Sequence, residues 1–136
     1  MKNTIKSLSI AAVLLASSVG ASLADNADIR VGFVPKFLKD DFQTLMTSLS
    51  KKAFAEKGFT LVGAPDPNGD IAAQVNALQN LLANGANVLV FAPLDTAGIV
   101  PAVKRANEAG ALVFSIDDGP AGGKVTATVR ADNLNA

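Results

Sequence analysis

From Asp28 onward, apolar and polar positions fall into blocks that repeat one unit. "DIRVGFV" is a short apolar run of strand type, and "DDFQTLMTSLSKKAFAEKG" follows with Phe42, Leu45, Met46, Leu49 and Ala53 spaced to share one helical face. "FTLVGA" is the next strand and "PDPNG" a turn. "DIAAQVNALQNLLANG" is a second helix, with Ile71, Val75, Leu78 and Leu82 on its inner face and Asp70 placed to cap its N-terminus. "ANVLVFAP" and "TAGIVPAVKRANEAG" repeat the unit, and Pro101 sets the regular helix to begin close to it. "ALVFSI" then opens a fourth. Gly58, Gly85 and Gly110 each stand where a helix must turn back into a strand, a position that favours a left-handed residue.

The strands are short and apolar on both faces, as expected where helices cover both sides of a parallel sheet. The predicted fold class is therefore α/β, an open parallel sheet with helices on both faces. Such sheets bind ligands in the crevice beyond the carboxyl ends of the strands, where the strand-to-helix loops gather. Asp117 and Asp118 fall there, after the fourth strand, in a loop "DDGPAGG" too rich in glycine to be helical. The loop after the first strand brings Lys36, Lys39, Asp40, Asp41 and Phe42 to the same edge. The second brings Asp66 and Asn68, and the third Ala92, Pro93 and Asp95. Adjacent carboxylates offer several acceptors in fixed directions, which suits neighbouring hydroxyls of a polyol. A nearby Lys donates to others, and an aromatic ring covers the apolar C–H face of a pyranose. Simpler readings stand beside these: turn or cap chemistry for Asp70, Asp95 and the acidic pair, a solvated lysine for Lys36, and core packing for Phe42 on its apolar stripe.

Length and composition bound the function. The 136 residues, 49% of them apolar, suffice for one domain or part of one. Twelve basic residues balance twelve acidic ones, so no field steers the chain toward nucleic acid. With no His and no Cys, the usual zinc ligands, thiol chemistry and Ser-His or Cys-His catalysis are excluded. The N-terminus, "MKNTIKSLSIAAVLLASSVGASLADNAD", has Lys2 and Lys6, an apolar stretch from Leu8 to Val19 and small residues Ser22 and Ala24 before a cut site. That stretch is shorter than the ~20 residues that span a bilayer. Residues 1–24 are expected to be a signal peptide, and the mature chain, from about Asp25, to be periplasmic.

From about Asp28 to Asn133 the chain resembles the N-terminal lobe of periplasmic sugar-binding proteins of ABC importers, the ribose- and arabinose-binding type, related to lac-repressor-like effector domains. The resemblance is carried by "VGFVPKFLKDDFQTL", "KKAFAEKGFTLV", "NALQNLLANGANVLVFAPLDTAGIVPAVKRANEAG", "VFSIDDG" and "RADN". It implies a periplasmic binding protein-like type I fold, with residues 25–136 as the N-terminal lobe alone, truncated before a second lobe. In this family the loop after the first strand gives a Lys or polar residue and a stacking aromatic, and the loop after the fourth gives one or two Asp. Carried over, this implicates Lys36, Asp40, Phe42, Asp117 and Asp118 in ligand binding. "IDDG" is closer to the arabinose-binding pattern than to the ribose-binding one, in which Arg follows the first Asp. Where many members carry two aromatics after the first strand, Gln43 follows Phe42 here.

The function so implied is the solute-binding component of an ABC importer, capturing a monosaccharide, a pentose or hexose, by hinge closure between two lobes. No catalysis, cofactor or metal is expected. The expected partners are the sugar and a membrane permease, with the full-length protein a monomer. A secreted sensory or chemoreceptor-coupled sugar-binding module would use the same fold and site. A Mg²⁺-dependent phosphoryl-transfer domain would also set paired acids on a parallel sheet, preferably at the end of the first strand. The resemblance further implies that a helix and strand returning from the far end of the chain complete this lobe, so that the lobe alone leaves part of its sheet uncovered.

Overall fold

In the computed structural model, which describes residues 26–130, five parallel strands form one sheet in the order β2-β1-β3-β4-β5. After a single 3-10 turn (Asn26–Asp28), the elements run β1 (Arg30–Val34), α1 (Asp41–Glu56), β2 (Thr60–Gly63), α2 (Ile71–Ala83), β3 (Val88–Phe91), α3 (Val100–Glu108), β4 (Leu112–Ile116) and β5 (Ala127–Val129). The open parallel sheet with helices on both faces is as the sequence predicts. β5 is an addition: three exposed residues paired with β4, too short and too polar in context to stand out as a strand. The expected signal peptide lies outside the described residues.

Strand order decides how the helices are shared. Crossovers between parallel strands are right-handed, so α1, which carries the chain from β1 outward to β2, must lie on the opposite face from α2 and α3, which carry it back across to β3 and β4. α2 and α3 pack on each other and over β1 and β4. They seal Val34, Leu89, Phe91 and Val113 beneath Leu78, Leu81, Val103 and Ala106. The glycine stops behave as expected, with φ of 74° at Gly58, 90° at Gly85 and 73° at Gly110. At Gly85 a side chain would also meet the Arg30 guanidinium, 2.9 Å from an added Cβ. That guanidinium is held by the carbonyls of Gly85 at 2.8 Å and Asn84 at 3.0 Å.

On the other face α1 lies alone, and it does not bury its apolar stripe. Gln43 and Thr47 are its buried residues, and Phe54 meets the buried Phe33 ring at 6.2 Å. Phe42, Leu45 and Leu49 are 68%, 58% and 56% exposed. This corrects the core reading of Phe42. The stripe sits roughly 150° around the helix from the Gln43–Thr47 line. The residues of α1 that reach the adjoining groove are Ser50 and Phe54. The sheet there is itself uncovered: Val88, Val90, Leu112, Phe114, Ile116 and Val129 line an apolar groove of about 490 Å³.

Candidate functional site

The carboxyl ends of β1 and β4 bring together three of the five residues implicated by the sequence. Lys36 leaves β1 through the buried Pro35, and its ammonium lies 2.9 Å from the Asp117 carboxylate and 3.8 Å from that of Asp118. Eighty-one positions separate Lys36 from Asp117 along the chain. The sheet order closes that gap. The lysine side chain is only 21% exposed, whereas the two carboxylates are 59% and 55% exposed, so the acids face solvent from a partly sheltered cation.

Asp117 holds an unusual backbone. Its φ is 73°, in the left-handed region that favours glycine and that Asp and Asn tolerate better than other side chains. The bend is fixed by neighbours: the Asp117 N–H donates to the Val129 carbonyl at 2.8 Å, and the Asp118 N–H to that of Ile116 at 3.0 Å. β5 therefore ties down the backbone that carries the first carboxylate. Such conformations persist where the surroundings over-determine them, and they cluster at binding sites.

The other two implicated residues sit on the first turn of α1. Asp40 is its N-cap, accepting the Gln43 N–H at 2.7 Å. One of its carboxylate oxygens is thus committed to the helix. Phe42 presents an open ring. Cap and turn chemistry also accounts for Asp70, which accepts the Ala73 N–H at 2.8 Å, for Asp95, which accepts from Gly98, and for Asp66, which accepts the Asn68 N–H at 2.8 Å. Among the described residues no three acidic side chains gather into a cluster able to hold a metal ion, and the Lys36 ammonium takes the place between the two carboxylates that a cation would need.

Two glutamines lie behind this edge without any motif to announce them. Gln43 accepts the Lys36 N–H through Oε1 at 3.3 Å. Gln74, fully buried, donates to the carbonyls of Pro35 at 3.0 Å and Ala92 at 2.8 Å and accepts the Leu94 N–H at 3.0 Å. The sequence does hold a signal for Gln74: it falls three residues after Ile71 and four before Leu78, a polar side chain on the inner stripe of α2.

Residues 31–136 match the model of the periplasmic binding protein domain family. The D-ribose/D-allose-binding protein of Pseudomonas aeruginosa is 34% identical over 94 residues, covering 65% of this chain and 29% of that protein. The ribose import binding protein of Haemophilus influenzae is 31% identical over 123 residues, covering 90% of this chain and 41% of that protein. Among solved structures, the Caulobacter myo-inositol binding protein bound to myo-inositol superposes with a TM-score of 0.70 at 28% identity, over 79% of this chain and 36% of the other. The chain thus spans well under half the length of these relatives.

Proposed function

Because the chain belongs to the periplasmic binding protein domain family, we propose that Lys36, Asp117, Asp118 and Phe42 form the sugar-binding edge of one lobe of a solute-binding protein. The observation that carries this reading is the Lys36 ammonium set against two solvent-facing carboxylates at the carboxyl edge of the sheet. Each carboxylate accepts from neighbouring ring hydroxyls, the ammonium donates to a third, and the exposed Phe42 ring offers an apolar face for C–H groups. Asp40, half committed to its cap, contributes through its remaining oxygen. A second lobe supplies the opposite half of the contacts and excludes water by hinge closure. The bound species is a monosaccharide, delivered in the periplasm to the membrane permease of an ABC importer. The sugar-binding names of the relatives support this choice.

The test is calorimetric titration of D-ribose, D-galactose, D-fructose and myo-inositol into the polypeptide that carries a second lobe, beside the 136-residue chain alone. Binding to the longer polypeptide with weak or absent binding to the single lobe is expected. Stabilisation by amino acids or peptides, with none by sugars, would overturn the reading.

A further inference from the structure

Gln74 is a candidate for more than core filling. Its side chain is fully buried, and all three of its hydrogen bonds run to backbone groups of the loops that leave β1 and β3. Both amide hydrogens are used, one on Pro35 and one on Ala92, and the oxygen holds the N–H of Leu94. A carboxamide is the neutral group that can satisfy two acceptors and one donor at once, which a buried Leu, Met or Glu at this position cannot do. Pro35 immediately precedes Lys36, whose own N–H is taken by Gln43 and whose carbonyl accepts the Gly69 N–H at 3.2 Å. The lysine backbone is therefore fixed by α1, by the turn before α2 and, through Pro35, by α2 itself.

We propose that Gln74 is a positioning residue that clamps the loop leaving β1 to the loop leaving β3, and so sets the Lys36 ammonium against Asp117 and Asp118. The inference rests on the sugar-site reading for its consequence but not for its geometry. Without the clamp, Pro35 and Ala92 keep buried carbonyls with one partner fewer, the β1 loop gains freedom, and Lys36 loses its fixed approach to the acidic pair.

The test uses the 136-residue chain and its Gln74→Met variant, which keeps the volume and removes all three bonds, with Leu78→Ala one turn further along α2 as a control that weakens the core and removes no side-chain hydrogen bond to either loop. NMR reads the Lys36 Nζ and Asp117 carboxyl resonances and the exchange of the Leu94 amide relative to the amides of β3. Gln74→Met is expected to shift the Lys36 and Asp117 signals and to speed Leu94 exchange by about tenfold over β3, while Leu78→Ala leaves both at wild-type values despite its lower stability. In the two-lobe polypeptide D-ribose affinity is expected to fall about tenfold in Gln74→Met and less than about twofold in Leu78→Ala. Equal disturbance of the Lys36 signals by both variants, or none in Gln74→Met, overturns the positioning role. Should Gln74→Met not fold, Gln74→Asn, one methylene too short to span both loops, gives the same readout. A Leu94 amide in the wild type exchanging as fast as an open loop overturns it outright. If no sugar binds the wild type, the functional reading fails while the ligand-free spectra still decide the clamp.

Discussion

On the face carrying α2 and α3, Leu78, Leu81, Val103 and Ala106 close over Leu89, Phe91 and Val113. On the face carrying α1, Val88, Val90, Leu112 and Phe114 of the same strands look into an open groove. The strand residues are of one kind, because successive side chains of a strand point to opposite faces and both faces are apolar. The difference lies in connectivity. Two crossovers run toward β4 and lay two helices on one face, and only one runs toward β2. Apolar pattern states what a surface needs, and strand order states whether the same stretch of chain can supply it.

The largest test of the contrast is truncation of one leucine on each face. Leu78→Ala, in the sealed core, is expected to cost about 3 kcal/mol, and Leu112→Ala, half exposed on the open face, less than about 1 kcal/mol by urea denaturation. Equal costs would mean that the open face is covered in solution. Next in size is the acidic pair: Asp117→Asn and Asp118→Asn are each expected to lose about 1.5 to 3 kcal/mol of sugar affinity in the two-lobe polypeptide, with Tm nearly unchanged. Asn keeps the left-handed backbone of Asp117 accessible, so the two effects separate there; normal binding with a much lower Tm would reduce the pair to turn chemistry.

Two smaller effects sharpen the picture of α1. Asp40→Ala removes the cap bond to Gln43 and is expected to cost about 1 kcal/mol in stability, read by chemical denaturation. A cost near zero would leave the Asp40 carboxylate free for ligand alone. The paired change Leu45→Lys and Leu49→Glu, on the exposed flank, is expected to alter stability by less than about 0.5 kcal/mol while lowering self-association in sedimentation velocity. A large destabilisation would show that the flank is packed rather than open.

The repeat, the parallel sheet, the glycine stops and the Asp70 cap were legible because each is written in contiguous residues. The α1 orientation was not. Helical spacing shows that Phe42, Leu45 and Leu49 share a flank, but the partner of that flank is not set by spacing, and the helix instead packs through Gln43, Thr47 and Phe54. Asp117 and Asp118 could be placed at the carboxyl edge of the sheet from strand ends alone. Their pairing with Lys36 depends on β3 lying between β1 and β4, a matter of sheet order. Gln74 was visible only as an irregularity, since a polar residue on an inner stripe states that something is bonded there without saying what.

The Lys36 ammonium balances one of the two carboxylates beside it and leaves the trio with a surplus negative charge on side chains that face solvent. The field of such exposed charges reaches about 10 Å at 0.1 M ionic strength and weakens as salt is added. If the edge binds sugar as proposed, a neutral polyol would meet no like-charge repulsion there, whereas the same ring bearing a phosphate or a carboxylate would be repelled. Under the sugar-site proposal the edge would then act as a charge sieve, favouring free sugars over their ionised derivatives before shape is consulted at all.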